Sequence, residues 1–138
     1  MVRVVNQPRY LRFVTTRRHR DSGASEGLFA AAYDLRRAGA FAAHEALWFQ
    51  QTVGWFERHV KVPKRVDLDL PYWSKQEDRV VWWWHAEAAT PIRHMRHLAT
   101  MLREHGVVVR VLRSAKPRLI VYDDDVQVGA IPFRDGVR

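Results

Sequence analysis

Apolar positions recur along this chain in two periods, and the change from one to the other marks out its elements. In residues 9–16, Arg-Tyr-Leu-Arg-Phe-Val-Thr-Thr, Leu11 and Phe13 fall on one side and Tyr10, Arg12 and Val14 on the other. That alternation, in β-branched and aromatic residues, predicts a first strand. A polar loop containing Arg17, Arg18, His19 and Arg20 follows. From Ser25 to Ala38 the period lengthens. Leu28, Ala32 and Leu35 form a helical stripe, and Gly39 supplies the stop. A second helix is predicted from about Phe41 to His59, with Trp48, Thr52, Trp55, Phe56 and His59 on one face and Pro63 beyond its end. The short link at Gly39 predicts an antiparallel helical hairpin.

Residues 61–73 show no period and are punctuated by Pro63 and Pro71. Ser74-Lys-Gln-Glu77 has the form of a capping box, and Trp84, Ala88, Ile92, Met95, Ala99 and Leu102 continue as a stripe. These signals predict a long helix ending at His105-Gly106. Pro91 either kinks it or opens a second helix capped by Thr90. Such a helix would carry Trp82, Trp83 and Trp84 in succession. At ~100° per residue, three neighbours spread over more than half the circumference. On this reading Trp84 belongs to the core, the 61–73 segment covers a second ring, and one ring needs another home. Strands are predicted at Val107 to Leu112, Leu119 to Tyr122 and Val126 to Ile131, the last two joined by Asp123, Asp124 and Asp125. The order β-α-α-α-β-β-β predicts an α+β fold: a small antiparallel sheet with a helical layer packed on one face. The length favours one domain over 1–138.

Composition adds exclusions. Hydrophobic residues make up 47% of the chain, with 6 Trp, 6 Phe and 4 Tyr, enough for a packed core. The absence of cysteine removes disulfides, cysteine-ligated metals and cysteine nucleophiles, and fits a cytoplasmic protein. The longest apolar run, Val80 to Trp84, falls far short of the ~20 residues of a membrane span. Met1 to Tyr10 carries no signal-peptide core.

The net charge of +8, with 19 Arg against 4 Lys, turns attention to phosphate. A planar guanidinium forks onto phosphate and stacks on bases, which an ammonium does not do. A GC-rich genome produces the same bias with no function attached. Residues 1–20 hold six arginines and no acid. Arg9, Arg12, Arg17, Arg18 and Arg20, with His19, are the candidate phosphate contacts, and binding through them would weaken steeply with salt. Tyr72, Trp73, Arg79 and Trp82 interleave rings with charge and are the candidate stacking residues. No known recognition motif accompanies them. The leading expectation is therefore a non-catalytic nucleic-acid-binding module, with RNA or single strands favoured. The alternative is a protein-interaction subunit (a homodimer, or an antitoxin-like, inhibitor or accessory partner) using an exposed Trp patch. A third reading is a small ribonuclease, with His19 between Arg17 and Arg20 or a Mg²⁺ ion at the aspartates.

Catalytic and metal signals are thin. Glu87 and His94 point nearly the same way on a helix but stand ~10 Å apart along it. His97 lacks a third ligand, and His44-Glu45 lacks the second histidine of a zincin. Three adjacent turn aspartates diverge. There is no Gly-x-Ser-x-Gly. No cofactor and no metal are expected.

One wider pattern remains. Tyr10-Leu-Arg-Phe13, Gly27-Leu-Phe-Ala-Ala-Ala-Tyr33 with Leu35-Arg36, and Trp55-Phe56 before Pro63 are followed by Gly106-Val-Val-Val, Ile120-Val-Tyr-Asp-Asp124, Gln127, Ala130 and Pro132-Phe133. In that order they resemble a family of small uncharacterised bacterial proteins. The resemblance implies a bacterial protein of this size and brings no activity, cofactor or site residue with it.

Overall fold

The computed structural model describes residues 9–18 and 25–132. Its elements in chain order are β1 (Tyr10–Arg18), β2 (Ser25–Gly27), α1 (Leu28–Arg37), α2 (Ala43–His59), β3 (Val81–His85), α3 (Ala89–Glu104), β4 (Val109–Ser114), β5 (Leu119–Asp123) and β6 (Gln127–Ile131). They form an α+β fold of three helices and one curled antiparallel sheet. No helix among the described residues is long and apolar enough to cross a membrane.

The expected long helix from Ser74 is replaced by a strand. Val81–His85 is β3, and the stripe becomes helical at Ala88, just before α3. A run of Val and three Trp suits a pleated sheet, where neighbours point to opposite faces and three successive rings need no single stripe. Ser74 caps no helix. Glu77–Arg79 is a single 3₁₀ turn. Pro91 neither kinks α3 nor opens a second helix: it lies inside the first turn, where no intrahelical N–H is lost. At the other end of the chain, Ser25 pairs with Arg18 as part of β2, and α1 starts three residues later with Gly27 at its N-cap.

β1 organises the sheet. One edge pairs with β4 from Tyr10↔Ser114 to Thr15↔Val109. Its other edge is shared: Tyr10 and Leu11 face His85 and Trp84 of β3, and from Val14 onward β2 takes over. β3 continues to β6 and β6 to β5. The free edge of β5 is engaged at its middle residue, where the Asp69 amide donates to the Val121 carbonyl at 2.6 Å.

Leu11 and Phe13 of β1 pack with Leu28 and Ala32 of α1, Phe49 and Phe56 of α2, and Leu98 and Leu102 of α3. Trp84 lies against Phe56 in this layer. α2 buries Phe49, Thr52 and Phe56, while Trp48 and Trp55 stay half-buried against His97 and His94 of α3. Glu45 holds the start of α2 by accepting the Ala42 amide at 2.9 Å, and it meets His105 Nε2 at 2.9 Å.

Trp82 settles differently. It pairs with Gly129, which in turn pairs with Tyr122. The absent side chain at Gly129 lets the two rings close over it, 5.5 Å apart. A Cβ at Gly129 would lie 2.8 Å and 2.9 Å from Cζ3 and Cη2 of Trp82 and 2.9 Å from Cγ1 of Val80.

The parting of β1 from β3 has a consequence for shape. Between the last shared pair, Leu11↔Trp84, and the first β2 pair, Val14↔Gly27, the sheet opens into a wedge. A cleft of about 510 Å³ occupies it.

Candidate nucleic-acid interface

Among the described residues, Arg9, Arg12 and Arg17 of the predicted amino-terminal cations sit in different settings. Arg17 is tied to Glu26 at 2.6 Å and to Asp34 at 2.7 Å, which hold its pKa above the ordinary arginine value. Arg12 is half-buried at the wedge, where burial pulls its pKa down to about 10. Arg9 is exposed, and its amide bonds the Ser114 carbonyl at 3.0 Å. Arg18 ends β1. His19 and Arg20 lie outside the described residues.

The predicted rings also divide. Trp82 is half-buried against Tyr122. Tyr72 and Trp73, by contrast, are 94% and 69% exposed. Their loop is braced by Arg65, whose Nη2 donates to the Pro71 carbonyl at 2.6 Å and whose Nε meets Glu77 at 3.4 Å. Val62 and Val66 are also exposed on this segment. Arg79 is half-buried, and its Nη2 lies 3.4 Å from the Pro132 carbonyl.

The structure brings together a second set of cations that is spread thinly along the sequence. Arg93, Arg96, Thr100 and Arg103 are exposed on α3. At ~100° per residue they fall within ~80° of arc. The sheet side of that arc is fixed by two contacts. The Arg96 guanidinium lies 5.6 Å over the Phe13 ring of β1, and Arg103 Nη2 donates to the Val109 carbonyl of β4 at 2.9 Å. β4 is the neighbouring edge strand, and Arg113 lies on its helix side, in register with Leu11. Arg110 is on its opposite face, and Lys116 is exposed just past its end. Between residues 88 and 122 the one carboxylate is Glu104. Among the described residues, no carboxylate forms an ion pair with Arg93, Arg96, Arg103, Arg110, Arg113 or Lys116.

The titratable groups considered for catalysis serve local structure. Asp124 accepts the Val126 and Gln127 amides and the Tyr122 hydroxyl, at 2.9, 2.9 and 2.7 Å. This is the hydrogen-bonding turn that aspartate favours. Asp123 lies 2.8 Å from His85 Nε2. His94 and His97 pack on Trp55 and Trp48. No three His, Asp or Glu side chains among the described residues gather closely enough to hold a metal ion. The chain matches no protein family, no curated protein and no solved structure with which it was compared.

Proposed function

We propose that the protein is a non-catalytic module that binds nucleic acid through the phosphate backbone along the seam of α3 and β4. One observation carries this reading: four exposed arginines, Arg93, Arg96, Arg103 and Arg113, line the facing sides of two adjacent elements with no carboxylate paired to them among the described residues. A polyanion carries a condensed layer of cations, and arginines that neutralise its phosphates release them with a gain in entropy. RNA or another single strand is favoured. The exposed Tyr72 and Trp73 rings offer stacking surface for unpaired bases.

The test is binding of a labelled single-stranded oligonucleotide over a salt series. Four phosphate contacts give a slope of about −3 in log K against log salt, and each contact removed lowers it by about 0.7. Arg93→Ala with Arg113→Ala should flatten the slope. Arg17→Ala, which breaks an internal ion pair, should leave it unchanged. Absence of binding at low salt, or equal weakening by Arg17→Ala, would overturn the reading.

A second reading has its own observation. Val62, Val66, Tyr72 and Trp73 expose aliphatic as well as aromatic surface on one braced segment, the composition of a protein contact rather than of a base platform. Light scattering after size exclusion checks for a homodimer. A dimer that Trp73→Ser converts to monomer would favour this reading.

A further inference from the structure

We infer that the outer edge of β4 is a docking site for an acidic partner segment in extended conformation, which adds to the sheet as a further strand. One edge of β4 is paired with β1 along its whole length, from Tyr10↔Ser114 to Thr15↔Val109. Among the described residues, no backbone group bonds to the other edge. Every second residue of an edge strand turns its N–H and C=O away from its paired neighbour, so β4 presents donors and acceptors with no strand to meet them. Both ends of this edge are marked. Arg103 Nη2 donates to the Val109 carbonyl at 2.9 Å, and the Lys116 amide donates to Ser114 Oγ at 3.1 Å where the strand ends. On β5, by contrast, the Asp69 amide already donates to the Val121 carbonyl.

Charge selects the partner. Arg113 lies on the helix side of β4, in register with Leu11, and Arg110 lies on the opposite face, in register with Val14. Both are exposed, as is Lys116 just past the strand. No carboxylate among the described residues forms an ion pair with any of the three. A phosphate backbone lying along the α3 side meets Arg113 and leaves Arg110 facing the other way. A strand added to the edge reaches both, because its own side chains alternate between the two faces. Arg110 and Arg113 stand three residues apart, so the partner needs two acidic side chains at the same spacing, one on each face. Cross-strand pairs of opposite charge stabilise such an addition, and like charges oppose it. A second copy of β4 brings two more arginines to the edge and is disfavoured on that ground. Main-chain bonds supply an affinity that any extended segment shares, and the two arginines supply the choice of an acidic one. An added strand also takes Arg113 from nucleic acid, yet the inference stands whether or not nucleic acid binds.

The probe is a dye-labelled peptide, Thr-Glu-Val-Thr-Glu-Val, capped at both ends, and its binding to the purified protein is followed by fluorescence anisotropy. The expected result is saturable 1:1 binding, weakened about tenfold or more when both glutamates are replaced by glutamine. N-methylation of alternate amides removes the donors along one side of the peptide and leaves its charge intact. Of the two methylated phases, one should bind about tenfold or more weaker than the parent peptide. Arg110→Glu combined with Arg113→Glu, with its fold checked by circular dichroism, should lose the glutamate peptide and bind its lysine counterpart. If that variant fails to fold, the peptide comparisons on the native chain decide alone. No binding up to about 1 mM peptide, equal affinity for the glutamate and glutamine peptides, or full affinity of both methylated phases would overturn the inference. An oligonucleotide that binds where the glutamate peptide does not would overturn it too and leave the nucleic-acid reading intact.

Discussion

Gly129→Ala tests whether the tryptophan run is arranged as described. The added methyl would lie 2.8–2.9 Å from two atoms of Trp82 and one of Val80, against a comfortable carbon–carbon separation of about 3.5–4.0 Å. Val80 sits just before β3 and is half-buried. The Trp82 ring is held between Gly129 and Tyr122, so relief requires moving the ring or parting β3 from β6. Overpacking of this kind costs about 1–3 kcal/mol. The loss of glycine's freedom in the unfolded chain returns about 0.4–1 kcal/mol. The net is a destabilisation of about 1–2 kcal/mol, or a fall in Tm of about 3–7 °C for a chain of this size. Urea unfolding followed by circular dichroism reads it directly. The decisive comparison repeats the substitution in a Trp82→Leu background, which removes the two ring atoms. There the cost should shrink by about 1 kcal/mol, a coupling expected of residues in contact. An unchanged or raised midpoint for Gly129→Ala in the native chain, or the same cost in both backgrounds, would refute the reasoning.

Two further outcomes follow from local groups. Burial against Trp55 and Phe56 lowers the His94 pKa, with Arg93, His97 and His59 adding repulsion. The folded state therefore disfavours His94 protonation, and its contribution to stability is lost as pH falls through the unfolded value of about 6.5. His94→Gln should reduce the loss of stability between about pH 7 and pH 5, and identical pH profiles for the two proteins would contradict this. Asp124→Ala leaves two turn amides and the Tyr122 hydroxyl without their acceptor; denaturant midpoints should show a loss of about 1–3 kcal/mol. The same variant should release the Tyr122 phenol from about 12 toward its ordinary value in an alkaline absorbance titration, since Asp124 is the first cause of the rise.

The fold class was legible because most elements obey one period cleanly. Leu11 and Phe13 face the helices as their alternation requires, and Ala88, Ile92, Met95, Ala99 and Leu102 line the buried side of α3. The misreading at 74–85 has a definite cause. Val80 to Trp84 is apolar at every position, and an unbroken run carries no period by which to tell strand from helix. Trp84 also stands four residues before Ala88, which extended the α3 stripe backward by coincidence of spacing. The pairing that settles the matter joins Trp84 to Leu11, far away in sequence.

The candidate interface was legible only in part. Density drew attention to Arg17 and Arg18, yet Glu26 and Asp34, placed by β2 and α1, neutralise the first of them. The α3–β4 cations never cluster in sequence, because α3 spaces them by turns and β4 by alternation. The usable signal was the scarcity of acid, with Glu104 alone between residues 88 and 122. The exposure of Tyr72 and Trp73 matched their irregular, proline-bounded segment. The wedge left no trace in the sequence, since it arises where two strands part.

The position of β1 in the sheet also sets a timetable for folding. This strand is synthesised well before its partner β4, which lies about 100 residues downstream. At about 5–20 residues per second, β1 spends roughly 5–20 s outside the ribosome before β4 can pair with it. Its apolar face, Leu11 and Phe13, waits for α3 over most of the same interval. The nascent chain must keep an unpaired strand edge from other partners during that time. Contacts this distant also predict slow refolding for a protein of this length.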